Sequence, residues 1–323
     1  MSLRIVENKS EIGAGTRGAS LGIDALKIAS IKKGIDLFEK HPILTVKDEN
    51  HLLFSETSFK HAKHIDGIAR MYSKISSFVH SILRNGNFPL IISGDHSSAG
   101  GTIAGVKMAF PKKKIGVIWV DAHADLHTPY TTPSGNVHGM SLASVIGINN
   151  EENKINPVSE YEIELWNILK NTGGVGKKIE PENIVYIGLR SVEKQEEDLI
   201  KKYGIKNFSV SFLRENGVKR TVDEVIECFS ACDMIFLSFD VDSLDPSVSS
   251  GTGTPVADGF TANEMIDLLD QLTKSNMISC MEVTEINPTL DDSNKMSEAV
   301  IEILDITSKN LSKVNLSQWL PRT

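Results

Sequence analysis

Residues 115–127 read IGVIWVDAHADLH, in which an unbroken apolar run is followed directly by alternating Asp and His residues. Continuous β-branched runs of this length are typical of strands that are buried on both faces of a parallel sheet. Four more such runs are PLIIS (89–93), IVYI (184–187), MIFLSF (234–239) and MISCMEV (277–283). Segments with helical spacing of apolar residues lie at 61–83, 98–109, 160–169, 222–229, 263–272 and 297–311. This alternation predicts an α/β protein with a doubly wound parallel sheet, whose ligands bind at the carboxyl ends of the strands.

The composition of the chain excludes several classes of protein. Its 323 residues include 34 Lys and Arg against 42 Asp and Glu, which gives a net charge of −8 at pH 7. An acidic chain lacks the basic face that a general nucleic-acid binder needs. The sequence shows no secretory signal and no apolar membrane span, and three Cys do not make a disulfide framework. We therefore expect a cytoplasmic protein with no nucleic-acid or membrane partner, in which residues 1–323 form a single domain.

Polar side chains follow the predicted strands at the points where the strands end. SGDHS (93–97) overlaps the end of PLIIS, DAHADLH (121–127) follows IGVIWV, and SFDVDSLDP (238–246) ends MIFLSF. The Asp and His residues of these segments that we expect to converge are His96, Asp121, His123, Asp125, Asp240 and Asp242. Buried carboxylates cost several kcal/mol each unless they are paired or bind a metal. The six side chains exceed the needs of one ion, which favours two ions bridged by a shared Asp, and a carboxylate-rich set favours Mn²⁺ over Zn²⁺.

Each of these segments also has a structural interpretation when it is taken alone. The D-x-H-x-D pattern is compatible with a polar loop at a strand end, and Asp245-Pro246 is compatible with the start of a turn. Asp95 or Ser97 is suited to cap the N-terminus of a helix. Separate structural causes do not explain why all the segments follow successive apolar strands. Their joint occurrence therefore favours a metal site.

The same segments, in order and spacing, resemble those of the arginase, or ureohydrolase, family. They are SGDHSSAGG (93–101), DAHADLHTPYTTPSGNVHG (121–139), SFDVDSLDPSVSSGTGTP (238–255) and EINP (285–288). The resemblance covers nearly the whole chain, and TTPSGNVHG (131–139) is close to the form of that loop in arginases. It implies a three-layer α-β-α domain with a central parallel sheet of eight strands. It also implies a homo-oligomer, either a trimer or a hexamer.

The resemblance further implies a centre of two Mn²⁺ ions. One ion would be held by His96, Asp121, Asp125 and Asp240, and the other by His123, Asp121, Asp240 and Asp242. The implied reaction is the hydrolysis of the guanidino group of L-arginine to L-ornithine and urea, by a hydroxide that bridges the two ions. In this reaction Asp125 passes a proton to the leaving amine, His138 shuttles a proton, and Glu285 accepts hydrogen bonds from the guanidinium.

The remaining matches to the family concern the other end of the substrate. Ser134 and Asn136 match positions that bind the α-carboxylate, and Glu193 and Glu196 match acidic positions that meet the α-amino group. Thr254 matches a hydroxyl on the substrate side.

Three residues depart from the usual arginase pattern. His127 stands where an Asn that helps to bind the α-carboxylate is usual, Glu193 stands where Asp is usual, and Ser191 replaces an Asp. These changes concern the substrate and leave the reaction type untouched. The alternative substrates are agmatine, guanidinobutyrate, guanidinopropionate and formiminoglutamate. A one-zinc deacetylase of a related fold and a non-catalytic metal-binding protein are disfavoured, because the carboxylate-rich ligand set is complete.

Overall fold

The computed structural model describes residues 2–319, which form eight strands and eleven α-helices. The strands are β1 (Leu3–Asn8), β2 (Ile43–Val46), β3 (Phe88–Ser93), β4 (Ile115–Val120), β5 (Ile184–Ile187), β6 (Lys206–Phe208), β7 (Met234–Asp240) and β8 (Ile278–Thr284). The helices are α1 (Gly22–Lys33), α2 (Leu37–Lys40), α3 (Ile65–Arg84), α4 (Ala99–Ala109), α5 (Ser141–Ile146), α6 (Glu160–Lys170), α7 (Lys194–Tyr203), α8 (Val210–Asn216), α9 (Val218–Glu227), α10 (Ala262–Thr273) and α11 (Lys295–Leu311).

All eight strands belong to one sheet with the order β2-β1-β3-β8-β7-β4-β5-β6, and every pair in it is parallel. Helices flank this sheet, and they pack on one another as two groups: α3 with α4 and α6, and α11 with α1 and α10. The predicted α/β class with a parallel eight-stranded sheet is therefore confirmed.

The five apolar runs correspond to β3, β4, β5, β7 and β8, whose residues are buried throughout. The runs did not reveal β1, β2 and β6. Strands β2 and β6 lie at the two edges of the sheet and are partly exposed, and β1 carries charged residues. The helical spacing located α3, α4, α6, α9, α10 and α11, but it did not reveal α1, α2, α5, α7 and α8. Edge strands and short helices such as α2, α5 and α8 give a weak periodic signal. Helix α1 is as long as α10, but its apolar residues are not confined to one face, and α7 is mostly polar.

The sheet brings together the polar segments that follow its strands. Strands β3, β8, β7 and β4 are neighbours, and Phe239 of β7 pairs with Val120 of β4. Parallel strands end at the same edge of a sheet, so Asp240 and Asp121 come to lie side by side there. Between Ser2 and Trp319, no helix is both long and apolar enough to cross a membrane.

Candidate metal centre

The imidazole of His96 lies at the centre of a group of three carboxylates. Its Nδ1 is 3.0 Å from Oδ2 of Asp121, 3.1 Å from Oδ2 of Asp125 and 3.1 Å from Oδ2 of Asp240. All four side chains are almost fully buried. Asp125 reaches the group from a left-handed backbone conformation with φ of 51°, and its carbonyl accepts a hydrogen bond from the N–H of Leu142 at the start of α5. Such backbone conformations are costly and concentrate at functional sites.

A second group of donors adjoins the first through Asp121. Nδ1 of His123 is 2.9 Å from Oδ2 of Asp242 and 3.6 Å from Oδ1 of Asp121. The backbone holds these carboxylates in place, because Asp242 Oδ1 accepts a hydrogen bond from the N–H of Ala122 and Asp240 Oδ1 accepts one from the N–H of Asp242. The two oxygens of Asp121 therefore face different groups, as a bridging ligand requires.

The donors fit divalent cations. His96 Nδ1 and Asp121 Oδ2 are buried atoms without a hydrogen-bond partner, although both are aimed into the cluster. Burial, followed by the neighbouring carboxylates Asp242 and Asp121, raises the pKa of Asp240 well above its ordinary value. Cations with metal–oxygen bonds of ~2.1 Å in octahedral geometry place adjacent donors ~3 Å apart, which matches the spacing around His96. Carboxylate and imidazole donors in this ratio suit ions such as Mn²⁺.

Two residues orient His96 that the sequence analysis did not single out. Nε2 of His96 is 2.7 Å from Oγ of Ser238, and the ring of Trp119 stacks on the imidazole with a centroid distance of 4.1 Å. The spacing of residues in the sequence contained a signal for both Ser238 and Trp119. Ser238 lies two residues before Asp240 and Trp119 lies two residues before Asp121, and residues i and i+2 of a strand share a face. Both side chains therefore point toward the same part of the site as the carboxylates that follow them.

Replacing Ser238 by Ala is expected to weaken metal binding at the His96 group about 10- to 100-fold, because partners of ligating His residues fix the ring orientation and its tautomer. Equilibrium dialysis with elemental analysis measures the change. Ser279→Ala is the matched control, since Ser279 is equally buried in the neighbouring strand β8 and donates only to the carbonyl of Ile235. Equal metal affinity of S238A and S279A would rule out this role for Ser238.

His138 and Glu285 form an ion pair beside the metal-ligand groups. Nδ1 of His138 is 3.0 Å from Oε1 of Glu285, which also accepts a hydrogen bond from the N–H of His96 at 2.9 Å. Glu285 is buried and has a left-handed φ of 66°. Burial lowers the pKa of His138, but the hydrogen bond and the charge of Glu285 outweigh it and raise that pKa to about 9. His138 is thus placed to carry a proton.

One cavity of about 240 Å³ joins these groups to the surface. Its deepest residues are the buried Asp and His side chains, and its outer wall includes Ser134, Asn136, Glu193 and Thr254, which are at least partly exposed. The site residues predicted from the sequence that line it are His96, Asp121, His123, Asp125, His127, Ser134, Asn136, His138, Glu193, Glu196, Asp240, Asp242 and Thr254. Glu285 contacts His138 but does not itself line the cavity.

The outer wall carries polar groups of several kinds. Oδ1 of Asn136 accepts a hydrogen bond from Nζ of Lys63 at 3.2 Å, and Oγ of Ser134 accepts one from the N–H of Asn136. The hydroxyl of Thr254 donates to Asp242 at 3.1 Å, so it contacts a candidate ligand. Ser191 also lines the cavity.

Three residues of the wall form a separate cluster, which we call the mouth cluster: His127, Glu193 and Glu196. His127 Nε2 is 3.3 Å from Oε2 of Glu193 and 3.5 Å from Oε2 of Glu196. Burial raises the pKa of Glu196 to about 8, while the hydrogen bond from His127 lowers that of Glu193 to about 2. The resemblance of the sequence to arginases implied substrate contacts for these residues, but not their contacts with one another.

The guanidinium of Arg190 links the loops around the site through hydrogen bonds. It donates to the carbonyls of Asp242, Val256, Ala257 and Gly188 at 2.8–3.0 Å. It therefore links the end of β5 to the segment of Asp242 and to the loop that carries Thr254. No local pattern in the sequence indicated this role.

Comparisons with known proteins agree over most of the chain. The model of the arginase family matches residues 5–307. The chain is 34% identical to an arginase of Brevibacillus brevis over 309 residues, and 32% identical to an arginase of Bacillus subtilis over 307 residues; each match covers 94% of this chain and 96% of the relative. The solved structure of arginase from Bacillus caldovelox matches with a TM-score of 0.81 and 31% identity, over 95% of this chain and 97% of that one.

Proposed function

Since the chain belongs to the arginase family, we propose that it hydrolyses the guanidino group of L-arginine and releases L-ornithine and urea. We further propose that two Mn²⁺ ions are its cofactors, held by the residues named above for the two groups. Asp121 and Asp240 would bridge the ions.

One observation carries the proposal. A single cavity has the carboxylate and imidazole groups in its depth and the polar groups of Ser134, Asn136, Glu193 and Glu196 on its outer wall. A guanidino amino acid has complementary chemistry at its two ends. Its planar guanidinium would lie at the metal centre, and its amino and carboxylate groups would meet the wall.

The residues around the reacting carbon have different roles in the reaction. When bound, the metal ions supply a water that is nucleophilic near neutral pH and stabilise the negative charge that develops. Asp125, whose Oδ2 lies in the His96 group, accepts a proton from the attacking water and passes it to the leaving amine. Glu285 carries the negative charge that favours a guanidinium nearby, and it keeps His138 protonated. His138 then delivers a proton to the departing amine of ornithine.

The departure at position 127 gives a reason to consider a second substrate. His127 already pairs with Glu193 and Glu196, which are the two acids that match the α-amino positions of the family. A guanidino acid without an α-amino group, such as guanidinobutyrate, does not need Glu193 and Glu196 to bind an ammonium group. It is therefore the second candidate.

Urea release from the Mn²⁺-reconstituted protein tests the choice of substrate. We expect kcat/KM for L-arginine to exceed that for agmatine and guanidinobutyrate at least about 100-fold, because a site built to bind polar groups rejects analogues that lack them. Urea release from guanidinobutyrate but not from L-arginine would support the hydrolytic reaction and identify guanidinobutyrate as the substrate. No release from any guanidino compound would overturn the proposed function.

Cytoplasmic location, a single domain and assembly as a homotrimer or homohexamer stay predictions. Size-exclusion chromatography with light scattering measures the assembly directly.

A further inference from the structure

The mouth cluster has the composition of a metal site of its own. It combines one imidazole with two carboxylates, and one donor atom of each residue lies within 4.8 Å of the others. His127 and Glu196 are buried, whereas half of the Glu193 side chain is exposed at the cavity wall. A cation therefore reaches the cluster from the cavity.

The contacts in the cluster are long for an ion pair. Charge-assisted hydrogen bonds between N–H and a carboxylate are usually ~2.7–2.9 Å, but His127 Nε2 is 3.3 and 3.5 Å from its two carboxylate partners. The cluster therefore has the space to accept a cation.

The donor spacing suits a tetrahedral ion. Zinc bonds of ~2.0–2.1 Å to His nitrogen and carboxylate oxygen put tetrahedral donors ~3.3 Å apart, close to the distances from His127 to Glu193 and Glu196. This spacing is wider than the 3.0–3.1 Å around His96. Three protein donors leave a fourth position open toward the cavity.

Neighbouring groups already orient the donors. Nδ1 of His127 is 3.2 Å from Oγ1 of Thr131, which turns Nε2 toward the two Glu residues. Oε1 of Glu196 accepts the N–H of Leu126 at 2.9 Å, and Oε2 accepts the N–H of Glu193 at 3.3 Å in the capping box of α7 while it faces His127. Such outer contacts are typical of metal-ligating His and carboxylate residues.

We propose that His127, Glu193 and Glu196 bind a divalent cation of the zinc type at the cavity mouth, and that this cation excludes the substrate. The site is distinct from the centre around His96 and Asp121, and its occupation by Zn²⁺ does not depend on which guanidino compound is hydrolysed. Bound Zn²⁺ covers the acids that would otherwise meet a substrate ammonium group, so it competes with the substrate.

Binding is measured on the protein saturated with Mn²⁺, by calorimetric titration with Zn²⁺ and by elemental analysis of both metals after gel filtration. We expect one additional equivalent of Zn²⁺ with Mn²⁺ retained. His127→Asn and Glu193→Gln are each expected to weaken this binding at least about tenfold, in line with the loss of one donor. His80→Asn is the matched control, because His80 lies on α3 and does not line the cavity.

The binding experiment separates this proposal from the proposed function. An additional equivalent that is lost in H127N and E193Q but kept in H80N supports the mouth site, even if arginine is not hydrolysed. Absence of the equivalent, its appearance only in exchange for Mn²⁺, or equal affinity in H127N would overturn the site. With an active substrate, Zn²⁺ should raise KM and leave kcat unchanged in the native protein; a fall in kcat alone would overturn the competition.

Discussion

Replacing Asp121 by Asn is expected to lower kcat/KM at least about 10³-fold, equivalent to ~4 kcal/mol of transition-state stabilisation. Oδ2 of Asp121 lies 3.0 Å from His96 Nδ1, and Oδ1 lies 3.6 Å from His123 Nδ1. An amide keeps the shape of the side chain but replaces one donor oxygen with an N–H₂ group that cannot bind a cation. The change therefore disturbs both metal groups at once.

Urea release and the metal content of the purified variant are measured together. The control is Asp24→Asn, in which the same chemical change removes a partly exposed ion pair to Lys9. Exposed pairs contribute only ~0–1 kcal/mol, so D24N should keep both its metal and its activity. A D121N variant that retained full metal content and more than about a tenth of the native activity would contradict the bridging role.

Replacing Glu285 by Gln is expected to reduce kcat/KM about 10²- to 10³-fold, because one fixed charge of the active site is lost. The amide is neutral, so it neither favours a guanidinium nor holds the proton on His138. The loss should fall mainly on kcat, with the metal content retained, since Glu285 bonds to the backbone N–H of His96 and not to its ring.

Glu282→Gln is the matched control, because Glu282 is buried in β8 and accepts a hydrogen bond from Ser93 without contacting His138. Its activity should stay within about tenfold of the native value, since an amide also accepts that hydrogen bond. Equal losses in E282Q and E285Q would show that the burial of a carboxylate in this part of the fold, and not the charge beside His138, is responsible.

The ion pair of His138 and Glu285 gives the metal-free protein a distinctive pH dependence of stability. The folded-state pKa of His138 is raised from 6.5 to about 9, so its protonation stabilises the fold fully below pH 6.5. This contribution is lost as the pH rises through about 9. The difference in free energy of unfolding between the native protein and E285Q should shrink over that interval in denaturant titrations. A difference that is constant with pH would contradict the raised pKa.

Runs of adjacent residues in the sequence located the site. Asp121 follows β4 and Asp240 ends β7. In each case one short segment contains an apolar run, which predicts a strand, and the metal-donor side chains at the end of that strand. The resemblance of these segments to a known family added the assignment of donors to two ions. The structure then brings three carboxylate oxygens of these segments to within 3.0–3.1 Å of Nδ1 of His96.

Contacts between distant segments could not be predicted in this way. Ser238 meets His96 across 142 residues, and His138 meets Glu285 across 147 residues. The helix α7 was not predicted, although its first turn carries Glu196, so the approach of His127 to Glu193 across 66 residues was missed as well. The departures at positions 127 and 193 were visible one by one, but the cluster that they form was not.

The sequence by itself therefore determined the central strands, the parallel α/β class and the identity of the donor side chains at the strand ends. These features depend on the period of apolar residues and on the residues next to them. Both can be read directly from the order of residues in the sequence. Only the tertiary structure decided the edge strands, the partners of His96, the carbonyl contacts of Arg190 and the mouth cluster. Those features depend on which distant segments pack together, and packing is selected by the burial and shape of the whole fold and not by any local pattern.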